Sequence, residues 1–109
     1  MGNDKNSEIL HGTLGLLILK ALAHGSMHGY GIAQHLKLVS DDVLQVGESS
    51  LYPALQRLML NGYVTSEWGL SENNRRARYY TLSALGRKQL AAEQRDFYRM
   101  ILAIQKVLA

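Results

Sequence analysis

Residues 49–64, SSLYPALQRLMLNGYV, decide how the rest of the chain is read. Leu51, Leu55 and Leu58 recur at four- and three-residue spacing, the period of a helix with one inward stripe, with Met59 beside it. Ser50 reads as the N-cap, which puts Leu51, Tyr52 and Pro53 in the first three helical positions. There Pro53 lacks only an N–H that has no intrahelical partner. Asn61-Gly62 supplies the stop. The opposite face carries Ser49, Tyr52, Pro53, Gln56 and Arg57, and Tyr52 and Gln56 project together one turn apart.

Two helices precede this one. In residues 10–24, Leu10, Leu14, Leu17, Ile18 and Ala21 predict a helix buried over much of its circumference, with Gly25 as its stop. Ile32, Leu36 and Val39 predict a second over about 29–39, ended by Ser40-Asp41-Asp42. Downstream the period changes. YVTSEWGLS and ARYYTLS are rich in strand formers and flank the polar tip SENNRR, which predicts a hairpin over 64–82 with a basic, flexible end. Trp68, Tyr79 and Tyr80 are expected to pair across its strands and cover the core. Ser83 can cap a last helix. Along it Leu90, Phe97 and Ile104 recur every seven residues, and Gln94, Ile101 and Leu108 fill the row between. Such a narrow seam on a terminal helix suits packing on a copy of itself.

The chain of 109 residues is 47% apolar, enough for one domain with one core. It has no cysteine, which removes disulfides, thiolate metal sites and a cysteine nucleophile. The opening MGNDKNSE does not resemble a secretory signal, and the apolar run from Leu14 to Leu19 is cut by Lys20. A cytoplasmic protein with no membrane partner is expected. His11, His24, His28 and His35 lack a ligand pattern, and no P-loop, dinucleotide-binding glycine motif or nucleophile motif is present. Neither an enzyme nor a metal or other cofactor is expected.

Three helices, a hairpin and a long helix give a mainly α (α+β) fold, the winged helix-turn-helix, with a C-terminal dimerisation helix. The divisions are a flexible segment over 1–9, the winged domain over 10–82 and the dimerisation helix over 83–109. Charge sharpens this reading. Between Ser49 and Lys88 six basic residues face two acidic ones, a local +4, while the remainder sums to −1. A solvated surface would explain such charge by itself. Placed one hairpin after a helix-turn-helix, Arg75, Arg76 and Arg78 point instead to phosphates or a minor groove. Ser49 and Ser50 at a helix N-terminus suit a phosphate, and Gln56 and Arg57 can pair with adenine and guanine. The expected partners are double-stranded DNA and a second copy of the chain. The rival class is a winged helix serving as a protein-interaction module, whose third helix would show an apolar or acidic face.

Three stretches carry a resemblance to a known family: LGLLILKALAHGSMHGYGIAQHL (14–36), SSLYPALQRLMLNGYV (49–64) and RRARYYTLSALGRKQL (75–90). In this order, and with His28-Gly29-Tyr30 joined to Leu51-Tyr52-Pro53-Ala54-Leu55, the sequence resembles the PadR family of transcriptional regulators over about residues 10–91. The resemblance implies a dimeric repressor and places Tyr30 at DNA with the Ser49–Arg57 face and the wing arginines. The single helix after the wing resembles the smaller subgroup, some members of which sense small hydrophobic effectors in a cavity at the dimer centre. Here that helix has no tryptophan to sandwich a flat ligand. The stretch from Ser71 to Leu90 resembles members encoded beside ABC-type permeases, which implies control of transport or efflux genes.

Overall fold

In a computed structural model, which describes residues 7–109, seven elements follow one another: α1 (Ser7–Leu22), β1 (Met27–His28), α2 (Gly29–Val39), α3 (Glu48–Leu60), β2 (Val64–Leu70), β3 (Arg76–Leu82) and α4 (Ala84–Leu108). Of the segment 1–9 expected to be flexible, residues 1–6 lie outside the described residues and 7–9 are helical, so α1 starts earlier than its apolar pattern suggested.

α1 is the centre of the core. Leu10, Leu14, Ile18, Leu19, Ala21 and Leu22 are all buried, on more than one side of the helix. It packs against α2, α3, α4 and β3. Each such leucine or isoleucine contributes roughly 1.5–3 kcal/mol by leaving water. α2 adds Ile32 and Leu36, but Val39, expected inward, is 63% exposed because the last turn of α2 stands beyond the core. The chain then reverses through Asp41 and Asp42, both at positive φ.

α3 begins before the position its serines and proline indicated. Gly47 is the N-cap, Glu48 opens the helix, and Ser50 is already inside it. The Ser50 hydroxyl is engaged elsewhere, 2.9 Å from His11 Nε2 on α1. Pro53 therefore sits in the helix interior, where it cannot donate to the Ser49 carbonyl. Ser49 and Pro53 are both exposed, so solvent can meet the released oxygen. The buried stripe is Leu51, Ala54, Leu55 and Leu58.

The sheet has three antiparallel strands in the order β1-β3-β2, where the sequence showed only the hairpin. β1 is two residues, pairing Met27 with Tyr80 and His28 with Tyr79. At the base of the hairpin Val64, Tyr80 and Leu82 close the core.

Ser83 caps α4 as expected, accepting from the Gly86 N–H at 2.9 Å while its hydroxyl donates to the Gly62 carbonyl at 2.7 Å. The first turn of α4 is pressed onto the α3–β2 corner. A Cβ at Gly86 would overlap the Tyr63 carbonyl oxygen. Beyond this turn only Leu90 of α4 is buried.

Candidate nucleic-acid interface

α3 presents two adjacent outward rows, Tyr52–Gln56 and Ser49–Pro53–Arg57, each at helical i,i+4 spacing and all exposed. The buried leucines behind them fix the helix, so these groups project from a rigid support. The second row borders a notch of about 150 Å³ between α1 and α3, shared by Ser49, Ser50, Pro53 and Arg57 with His11.

Tyr52, of the first row, borders a larger groove. The wing, β2 and β3, rises beside the starts of α2 and α3 and encloses about 690 Å³ lined by Tyr30, Tyr52, Trp68, Arg75, Arg76 and Arg78, among others. Strand alternation explains the lining. Tyr80 faces the core, so Arg78 and Arg76 share its face, and the register places Trp68 opposite Arg78. Past the helices that face is no longer covered and becomes the wall of the groove. The tip is closed by a hydrogen bond from Ser71 N–H to the Arg75 carbonyl, 2.8 Å, with Asn74 at positive φ.

Tyr30 is 69% exposed, and its hydroxyl accepts from Gln34 Nε2 at 2.7 Å. Tyr52 is held more closely. Its hydroxyl lies where a Cβ at Gly29 would come within 2.5 Å, so only glycine at that position lets the ring rest on the start of α2. Burial, with Glu48 and Tyr80 adding to it, pushes the Tyr52 phenol above its usual 10.0. The hydroxyl therefore keeps its proton and can donate. At 43% exposure Tyr52 both supports the α2–α3 junction and faces the groove.

His28 and Trp68 have positions that sequence reasoning missed. His28 is the N-cap of α2: its Nδ1 accepts from the Gly31 N–H at 2.9 Å. A neutral ring accepting there carries its proton on Nε2, which lies 3.8 Å from the Glu72 carboxylate at the wing tip. Trp68 was expected to help cover the core, but it is exposed on the wing beside Arg76 and Arg78. The parity signal was present, since counting in twos from Val64 reaches Trp68. The register that pairs it with Arg78 was not.

The six residues expected in a dimer seam divide. Leu90 is 8% exposed and belongs to the core of its own chain, because the base of α4 is still packed on α1. Gln94, Phe97 and Ile101 are half-buried, while Ile104 and Leu108 are exposed. Tyr98, Met100, Leu102 and Val107 are exposed too, so the apolar surface is broader than one heptad row. His24 and His35 rings approach to 5.3 Å, but among the described residues no group of three or more metal-ligating side chains comes together. No helix among them is long and apolar enough to cross a membrane.

Known proteins share this arrangement. A transcriptional regulator from Clostridium thermocellum superposes with a TM-score of 0.83 at 29% identity, covering 92% of this chain and 97% of that one. A PadR family transcriptional regulator from Eggerthella lenta gives 0.78 at 26% identity, covering 93% and 86%. An uncharacterized protein from Lysinibacillus sphaericus is 27% identical over 85 residues, 78% of each chain. Residues 18–92 match the Transcriptional regulator PadR-like family. That match runs from the middle of α1 through both helices of the helix-turn-helix and the wing into α4, and the chain belongs to the PadR-like family of transcriptional regulators.

Proposed function

We propose that the chain is a cytoplasmic, homodimeric repressor that binds a specific sequence in duplex DNA and occupies a promoter, with transport or efflux genes as its targets. The observation that carries the DNA reading is the groove. Its wing wall holds Arg75, Arg76 and Arg78, and its floor meets the exposed start of α3. A helix in the major groove with an arginine-bearing wing on the flanking backbone separates the two tasks of recognition, since phosphate contacts position and base contacts specify. Gln56, Arg57 and Tyr52 would reach base edges. Ser49 and Ser50 near the positive end of α3, Tyr30 and the wing arginines would hold the backbone. The exposed apolar half of α4 supports pairing of two copies. Repression, its targets and a hydrophobic effector between the α4 helices rest on resemblance to the family.

Selection of binding sites from a random DNA pool tests the reading. The wild type should enrich an inverted repeat with half-sites about 34–36 Å apart. Gln56→Ala should relax one symmetric pair of positions, at roughly 1–3 kcal/mol for the lost base contact. No enriched sequence for the wild type would favour the protein-interaction module. Identical profiles for both proteins would remove Gln56 from the reading surface.

A further inference from the structure

Trp68 is the sole tryptophan of the chain and stands 57% exposed on β2. Its surroundings are two arginines. The guanidinium of Arg76 lies 4.5 Å from the ring centroid and that of Arg78 5.9 Å. Arg78 is held at a second point, where its Nε donates to Ser66 Oγ at 3.0 Å. Trp68, Arg76 and Arg78 all line the groove beside Tyr30 and Tyr52.

We infer that Trp68 is a positioning residue for DNA binding, whose ring holds the guanidiniums of Arg76 and Arg78 in the groove before any phosphate arrives. The inference rests on the DNA-binding reading above. An unsupported arginine at the end of a wing loses its rotamer freedom when it grips a phosphate, and that loss weakens binding. On the indole, much of the ordering has already occurred in the free protein. Stacking uses the guanidinium face and leaves its in-plane N–H groups available to donate to a phosphate. Indole is also the strongest aromatic partner for a cation. Arg75, which has no such contact with the ring, serves as the internal comparison.

Two measurements separate the stack from the DNA reading. Without DNA, Trp68 emission reports the stack directly, so Arg76→Ala with Arg78→Ala should change its intensity. Unchanged emission would show that the ring does not hold the arginines. With mixed-sequence duplex DNA over a salt series, Trp68→Leu should weaken binding about five- to twentyfold and Trp68→Phe by less. The slope of log K against log salt should stay at its wild-type value, because the same cations still reach phosphates. Adding Trp68→Leu to the double arginine variant should change little, whereas adding it to Arg75→Ala should weaken binding as in the wild type. Circular dichroism melts establish that each variant is folded. Equal weakening with and without Arg76 and Arg78 overturns the inference, since the ring would then touch DNA itself or merely hold the wing together. Full affinity in Trp68→Leu overturns it as well. A wild type that binds no duplex overturns the DNA reading and this inference together, and the emission change would still show whether the stack exists.

Discussion

α3 and α4 each turn a face to solvent, and the two faces are opposite in kind. α3 is anchored along its length by Leu51, Ala54, Leu55 and Leu58, and shows Ser49, Tyr52, Pro53, Gln56 and Arg57 outward. α4 is fully buried only near its start, at Gly86 and Leu90, and beyond them shows Tyr98, Met100, Leu102, Ile104, Val107 and Leu108. A hydrogen-bonding face supported from behind is stable in water and keeps its donors and acceptors in fixed positions. An apolar strip of that length is stabilised only when covered. Exposure alone therefore does not identify an interface. On the proposed reading, what is exposed, and how firmly it is held, separates a surface that would read DNA from one that would pair.

The largest expected effect comes from breaking the α4 side of this contrast. Ile101→Asp places a charge in the half-buried part of the strip, and two-fold symmetry repeats the change in each partner. Each large apolar side chain contributes roughly 1.5–3 kcal/mol, so about 3–6 kcal/mol of dimer stability should be lost. Sedimentation should show a folded monomer, and a dimer persisting at micromolar concentration would assign the pairing surface elsewhere. Next in size is the joint between the two helices. Gly86→Ala drives a methyl group into the Tyr63 carbonyl and should cost about 1–3 kcal/mol in chemical denaturation. A wild-type denaturation midpoint would mean that the corner yields freely.

On the α3 side, Arg75→Ala with Arg76→Ala should flatten the salt slope by about 0.9 for each lost phosphate contact. The preferred sequence should survive, because Gln56 and its neighbours are untouched, and an unaltered slope would remove the wing from the interface. The smallest effect concerns Tyr52. Burial keeps its phenol protonated above the usual 10.0, so the folded chain retains a proton that the unfolded chain gives up. Stability is therefore fully present below 10.0 and falls as pH rises past it. Tyr52→Phe should lose stability less steeply through that alkaline range, and an equal decline in both proteins would mean that this phenol is not the group responsible.

The sequence made these two faces legible to different degrees, for physical reasons. α2, the hairpin and the Ser83 cap could be read closely because each depends on neighbours in sequence: a 3.6-residue period, strand formers around a turn, and a serine before a helix. The start of α3 was misplaced because Ser50 and Pro53 together imitate a helix N-terminus. The Ser50 hydroxyl bonds His11, 39 residues away, which no local pattern records. β1 is too short to have a period, and its pairing with β3 joins residues about fifty positions apart. For the candidate site, the residues of the α3 face and the wing were legible as types. Their grouping was not, since the Tyr52–Gly29 contact and the Trp68–Arg76 stack depend on tertiary approach and hairpin register. In the α4 strip, a heptad row does not show where a helix leaves its own core, and Leu90 is buried within its own chain.

Gly86 and Leu90 lie roughly 6 Å apart along the axis of α4, while the helix continues about 27 Å past Leu90 to Leu108. α4 is therefore a lever with its fulcrum near one end and a gain of roughly four. A displacement of about 1 Å at the Tyr63 carbonyl would swing Leu108 through about 4–5 Å. In a two-fold pair joined along α4, that swing would reappear as a change in the distance and tilt between the two copies of α3. In such a pair the aim of the two α3 helices would depend on a clearance smaller than one methyl group, between Gly86 and the Tyr63 carbonyl oxygen.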